Sequence, residues 1–232
     1  MAWKGGLERA LDRCNAVLRP TGLQIAWYSG ADRRTADALR RQGAKLRYRD
    51  LQFFRGITAP GHITIEEARF LADLAQASAP DRPIVEIGTL FGFSTLVLAR
   101  AKHPGQRLIT VDNYCWNPLG LPPDAHARAT AAVLQDAVKT QNVEVVRADK
   151  DDFYRAYAGS PPALFFCDAD HAYEPTLRDL RWARDAGADI ICGHDHHPLR
   201  HPGVVRAVSD LGGAGEIRGT VFVLACAGRP GI

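Results

Sequence analysis

No apolar run in the chain approaches the ~18 residues that a membrane span needs. The first residues, Met-Ala-Trp-Lys-Gly-Gly-Leu-Glu-Arg, turn charged and amphipathic instead of entering the apolar stretch of a secretory signal. Cysteine is sparse and unpaired. Five residues (Cys14, Cys115, Cys167, Cys192, Cys226) form no C-x-x-C pair, which is poor material for a disulfide framework and ordinary in a reducing cytosol. Internal repeats and low-complexity tracts are missing. So are G-x-G-x-x-G and a lysine-bearing G-x-x-x-x-G loop, which removes the dinucleotide fingerprint and the Walker A cradle. Charge of one sign is not in excess either, the net value being +3. These absences predict a cytoplasmic protein with neither membrane nor nucleic acid as partner.

What is present fits a globular chain. The 232 residues are 46% hydrophobic and 24% charged, close to average and long enough to bury a sizeable core. Length alone predicts one domain plus an extension. The charge is uneven. Between Arg33 and Arg55 eight Lys/Arg face only Asp37 and Asp50, a local +6, so the remainder is slightly acidic.

Before residue 80 the pattern is helical. Leu7, Leu11, Cys14 and Leu18 recur at helix spacing, and Thr64 with Glu67 forms a capping-box signature ahead of Ala68, Leu71, Leu74 and Ala75. Ala79-Pro-Asp-Arg-Pro83 then punctuates the chain, predicting a helical extension over 1–80 and a main domain over 81–232. After Pro83, short apolar runs (Ile84–Ile87, Leu108–Val111, Val143–Val146, Ala163–Cys167, Ile190–Cys192, Val221–Ala225) alternate with helical patterns. Such alternation predicts an α/β fold, a Rossmann-like, doubly wound, mostly parallel sheet with helices on both faces. The ending from Gly213 to Ala225 reads as two strands turning at Gly219 with an antiparallel strand at the sheet's end, or as one final strand.

Ligands of such sheets bind beyond the carboxyl ends of the strands. The first such end is Val85-Glu-Ile-Gly-Thr-Leu-Phe-Gly-Phe-Ser-Thr95, with Gly88 and Gly92 ahead of Ser94. Glycine there permits a tight turn and close backbone approach to a ligand. Taken alone, the two glycines fit a plain strand-to-helix turn equally well. The next strand ends in Asp112, where an acid can accept bonds from a ribose diol.

Five of the eight histidines fall between His171 and His201, beside several aspartates. Phe165-Phe-Cys-Asp-Ala-Asp-His171 ends the fourth strand and Ile190-Ile-Cys-Gly-His-Asp-His196 the fifth. Neighbouring ends would bring Asp168, Asp170, His171, His194, Asp195 and His196 together, a donor set suited to a divalent ion with open positions. The plainer reading is a set of helix-capping aspartates and exposed histidines.

Glu86-x-Gly88-x-x-x-Gly92-x-Ser94 with Leu108-Ile-Thr-Val-Asp112 resembles motifs I and II of class I S-adenosylmethionine-dependent methyltransferases, and the likeness runs from Pro83 to Val208. Asp168-Ala-Asp-His171-Ala-Tyr, Gly193-His-Asp195 and Pro202-Gly-Val resemble the small bacterial O-methyltransferases of sugars and natural products, and more remotely the catechol type. The resemblance implies that Glu86, Gly88, Thr89, Gly92, Ser94, Asp112, Asn113, Asp149 and Asp168 serve S-adenosyl-L-methionine. It also implies Asp168 and Asp195 as ligands of a divalent metal such as magnesium or manganese. Those relatives carry Asp-Asn or Glu-Asp where this chain has His194-Asp195-His196, so either histidine could complete the set, and nitrogen donors would shift it toward manganese, iron or zinc.

The expected function is therefore metal-assisted O-methylation of a small hydroxylated metabolite, with Asp168 and His171 catalytic and His171 the general base. The alternatives are a metal-dependent hydrolase or phosphoesterase built on the Asp/His cluster, and a non-catalytic nucleoside-binding domain. The basic stretch, with Tyr48, Phe53 and Phe54, reads as a solvated helix face or as a lid recognising an anionic acceptor. A homodimer is compatible with the pattern.

Overall fold

The computed structural model describes residues 61–225. The basic stretch, the helical pattern around Leu7–Leu18, and Cys226 lie outside those residues. The first described helix, α1 (Ile65–Ala77), begins where its capping box places it. The Thr64 hydroxyl accepts the Glu67 N–H at 3.3 Å, and the Glu67 carboxylate accepts the Thr64 N–H at 2.8 Å. Its apolar face buries Ala68, Phe70, Leu71, Leu74 and Ala75. The punctuating segment after it is tied to the following strands by Gln106, whose amide donates to Ser78, Ala79 and Arg82.

The chain then alternates β1 (Ile84–Ile87), α2 (Phe93–Ala101), β2 (Leu108–Asp112), α3 (Pro123–Thr140), β3 (Val143–Arg147), α4 (Lys150–Ala156), β4 (Leu164–Cys167), α5 (Tyr173–Asp185), β5 (Ile190–Gly193) and α6 (Pro202–Asp210). It ends on the hairpin β6 (Ala214–Arg218) and β7 (Val221–Leu224), turning at Gly219 as the two-strand reading expects. The described residues form one seven-stranded sheet of order β3-β2-β1-β4-β5-β7-β6. Strands β1 to β5 are parallel, while β7 is antiparallel and sits between β5 and β6 instead of at the edge.

Apolar runs become strands here because both faces are covered. On one face Val85, Ile87, Ile109, Val111, Phe165 and Ile191 pack against Leu177, Leu180 and Ala183 of α5 and Val204, Ala207 and Val208 of α6. Residues of opposite parity, such as Glu86 and Thr110, point to the face that α2 covers. Strand β3 departs from the all-apolar expectation: as an edge strand it buries only Val143 fully, and Glu144 and Arg147 face solvent. Strand order reverses at β1, which has β2 on one side and β4 on the other. The crevice of a doubly wound sheet opens at that reversal.

Candidate active site

The β1–α2 loop is held in an unusual shape. Gly88 has φ +99°, and its amide donates to Val111 at 2.9 Å. A Cβ at Gly88 would collide with the Asp168 carbonyl, so only glycine lets the ends of β1 and β4 lie this close. Leu90 has φ +48°, costly for a leucine. Three partners fix it. Its N–H donates to Asp112 Oδ2 at 2.8 Å, and its carbonyl is met by His126 Nε2 at 2.9 Å and the Thr130 hydroxyl at 2.6 Å. Asp112 also accepts the Tyr114 N–H at 2.7 Å, so this carboxylate sets the shape of both strand ends.

Beneath the loop lies Glu86, fully buried. One oxygen accepts from the Thr95 hydroxyl at 2.6 Å, and the other has no partner. Burial is the main cause that pushes its carboxyl up to about 7, partly offset by the neighbouring hydroxyls of Ser94, Thr95 and Thr110.

A cavity of about 610 Å³ opens over these strand ends. Gly88, Thr89, Ser94, Asp112, Asn113, Asp149, Asp168, His171, His194 and Asp195 all line it. Glu86 and Gly92 do not; Glu86 faces α2, and Gly92 packs against Leu134. The Thr89 hydroxyl is turned inward to Thr110 at 2.6 Å, so Thr89 offers its backbone to the cavity. Asp149 caps α4, accepting the Asp151 N–H at 2.8 Å. Asp170 lies on the cavity wall too, with its carboxylate accepting the Ala172 N–H at 2.8 Å.

At one end of this cavity the ends of β4 and β5 bring acids and imidazoles together. His171 Nε2 lies 2.8 Å from Asp195 Oδ2 and 3.9 Å from Asp168 Oδ1, as an ion pair without hydrogen-bond alignment. His194 Nδ1 is 3.5 Å from both Asp168 Oδ1 and Asp195 Oδ2. Asp195 holds this position with φ +61°, a left-handed backbone that aspartate tolerates better than most residues. His196 is not part of the cluster. Its amide donates to Thr220 at 2.9 Å and its ring lies beside Phe222. Of the two histidines that the sequence leaves open, His194 lies against Asp168 and Asp195, and His196 does not.

The electrostatics favour a positive charge here. Asp168 and Asp195 raise His171 to about 9 against the opposing effect of burial. Burial works against a charged His194, but Asp168, Asp195 and Glu67 outweigh it and lift the ring to about 12. Conversely, burial alone would raise Asp168 and Asp195, and their histidine neighbours bring both below the ordinary carboxylate range. Asp168, His194 and Asp195 each offer a donor atom within 4.8 Å of the others. Both nitrogens of the buried His194 ring and Nε2 of His171 lack hydrogen-bond partners. Orphaned ring nitrogens among carboxylates fit a divalent ion, which these three residues could hold.

Two further residues belong to this neighbourhood. Glu67 of α1 reaches His194 Nε2 at 3.5 Å, and His201 Nε2 lies 3.6 Å from Asp195 Oδ1. In the sequence Glu67 reads only as a capping residue, and nothing in its spacing points to β5. His201 stood within the histidine-rich segment, and that density was its one signal.

Residues 85–195 match the family model of a methyltransferase domain. The chain is 36% identical over 121 residues to the catechol O-methyltransferase of Mycobacterium tuberculosis, covering 52% of this chain and 50% of that protein. It thus spans about half the length of this curated relative. Among solved structures, cofactor-bound Rv0187 from MTB aligns with TM-score 0.54 at 27% identity, over 76% of this chain and 84% of that one. The O-methyltransferase from Bacillus cereus in complex with SAH aligns with TM-score 0.55 over 75% of this chain and 87% of its own. At 23% identity that second likeness bears on the fold alone. No helix among the described residues is long and apolar enough to cross a membrane.

Proposed function

We propose that the chain is a class I, S-adenosylmethionine-dependent O-methyltransferase acting on a small hydroxylated molecule, a reading supported by the match of residues 85–195 to a methyltransferase-domain model. One observation carries this reading: a single cavity joins the Gly88 loop and Asp112 to the Asp168–His171–His194–Asp195 cluster. A hydrolase built on the cluster alone would leave the other half of that cavity without a task.

In this proposal the backbone of Gly88 and Thr89, with Ser94, Asp112, Asn113 and Asp149, holds S-adenosylmethionine. Asp168 stands between the cofactor and the acceptor. Methyl transfer forms an oxygen–carbon bond as the carbon–sulfonium bond breaks, so the acceptor oxygen must be placed behind the methyl group. Asp168, His194 and Asp195 would hold a divalent ion, which when bound supplies Lewis acidity toward that oxygen.

The released proton passes to the imidazole of His171. Here the electrostatics impose a condition. Asp168 and Asp195 hold His171 near 9, so it is already protonated at neutral pH while their charge is free. It becomes a competent base only when those carboxylates are otherwise engaged, which links base and ion. The surplus of Lys/Arg between Arg33 and Arg55 in the sequence is what suggests an acceptor carrying negative charge.

The test is transfer of labelled methyl from S-adenosylmethionine to a panel of catechols, sugars and other hydroxylated acceptors, with manganese and with chelator. The proposal expects transfer with the ion, and a loss of ~10²–10⁴-fold in His171→Ala. Full turnover by both His171→Ala and Asp168→Ala would remove the base and the ion. Transfer to no acceptor under either condition would remove the activity.

A further inference from the structure

We propose that Glu67 is the positioning residue of the β5 histidine: it takes the Nε2 side of His194 and so presents Nδ1 to the space between Asp168 and Asp195. The inference rests on the reading of Asp168, His194 and Asp195 as an ion site, and it adds to that site a carboxylate from outside the matched domain.

The geometry begins with how firmly Glu67 is held. It is 3% exposed, although glutamate seldom is buried unless it is paired. Oε1 accepts the Thr220 N–H at 2.6 Å and the Thr220 hydroxyl at 2.8 Å. Oε2 accepts the Thr64 N–H at 2.8 Å and faces His194 Nε2 at 3.5 Å. Gly219 presses on the same side chain, since a Cβ there would lie 2.5 Å from Oε1. The cap of α1 and the β6–β7 turn thus clamp the carboxylate from two sides.

His194 is equally constrained. It is 5% exposed, its amide donates to Cys167 at 3.1 Å, and its ring lies between Glu67 and the two aspartates. An imidazole that binds an ion offers the lone pair of one nitrogen and carries a proton on the other, and that N–H needs an acceptor. Among the described residues, the carboxylate facing Nε2 is Glu67, while Asp168 and Asp195 both face Nδ1. With an ion held between Asp168 and Asp195, the arrangement would therefore specify one tautomer: proton on Nε2, lone pair on Nδ1.

Glu67→Gln probes this role, at the cost of the Thr64 N–H bond to the same oxygen. An amide that keeps its carbonyl on Thr220 turns an N–H toward His194 Nε2, which then needs a lone pair there and forces the proton onto Nδ1. Thr220→Val is the companion variant. It removes a hydroxyl contact from the same clamp but leaves the carboxylate charge and the Thr220 amide intact.

The experiment is zinc titration of the full chain by calorimetry, with long-range ¹H–¹⁵N spectra of its histidines. In the zinc-loaded wild type, His194 is expected to be ligated through Nδ1 and protonated on Nε2. Glu67→Gln is expected to bind zinc ~10–100-fold more weakly and to lose the Nε2 proton signal. Thr220→Val is expected to keep the wild-type affinity and spectrum.

Wild-type zinc binding through Nε2 of His194 overturns the proposal without recourse to any variant. So does zinc affinity in Glu67→Gln equal to that of the wild type, or an equal loss in Thr220→Val, which would make Glu67 a staple of the fold. Absence of zinc binding by the wild type removes the ion site itself, and the proposal with it.

Discussion

His171 Nε2 lies 2.8 Å from Asp195 Oδ2, and this pair gives the metal-free protein a pH signature. Asp168 and Asp195 raise His171 from 6.5 to about 9, so the folded chain holds that proton more tightly than the unfolded chain. The stabilisation is complete below pH ~6.5 and is lost as pH rises through about 9. Thermal melts in chelator are expected to decline across this window in the wild type and to flatten in Asp195→Asn. Parallel curves for the two proteins would show that the pair contributes nothing. His171 is about one-third exposed, so solvent screening keeps the effect modest.

Glu86 titrates with a related sign and a larger consequence. Its folded pKa of about 7 exceeds the ordinary 4.5, so burying the carboxylate destabilises the fold as pH rises between those values. Glu86→Gln keeps an acceptor for Thr95 and removes the charge. It is expected to be neutral near pH 4 and to stabilise by ~1–3 kcal/mol at pH 8, read from urea midpoints. A variant less stable than the wild type at pH 8 would assign the carboxylate a role that burial does not explain.

The Gly88 loop makes a steric prediction. Gly88→Ala combines φ +99° with a Cβ driven into the Asp168 carbonyl. It is expected to cost ~3 kcal/mol in urea unfolding, well above an exposed glycine substitution. Gly105→Ala is the comparison, because its φ of +79° is similar and its Cβ would meet open space. Equal costs would mean that backbone conformation, not the β1–β4 approach, requires glycine at position 88.

Much of this was legible in the sequence, for reasons that particular residues make plain. Leu164–Cys167 reads as a buried strand because it is apolar throughout, and Ile84–Ile87 because every residue but Glu86 is apolar, as a strand covered on both faces demands. Gly88 and Asp112 read as a ligand-facing pair because strand ends in such sheets carry the site. Glu67 was not legible. Its bonds to Thr220 span 153 residues, and no local pattern encodes the docking of α1 on the β6–β7 turn. Neither was the separation of His196, whose amide donates to Thr220, from the acid cluster.

Lys150, itself only partly buried, pairs with the fully buried Asp179 at 2.6 Å, and Tyr154 donates to the same carboxylate at 3.0 Å. Removing the cation strands the buried Asp179 charge, a pairing that no local pattern foretells. Lys150→Met is expected to cost ~3–5 kcal/mol at neutral pH. Burial raises Asp179 even with its partners present, so the variant's penalty shrinks as pH falls and the acid takes a proton. Chemical denaturation at pH 8 and pH 5 checks both statements, and a pH-independent penalty would contradict the second.

In the proposed function one cavity has a cofactor end, shaped by Gly88 and Asp112, and a chemical end at Asp168, His171, His194 and Asp195. Calorimetric titration with S-adenosylmethionine tests that division most directly. The account predicts one-to-one binding by the wild type, abolished in Asp112→Ala and retained close to the wild-type value in His171→Ala. Absence of binding by the wild type, or binding that survives Asp112→Ala and fails in His171→Ala, would contradict it.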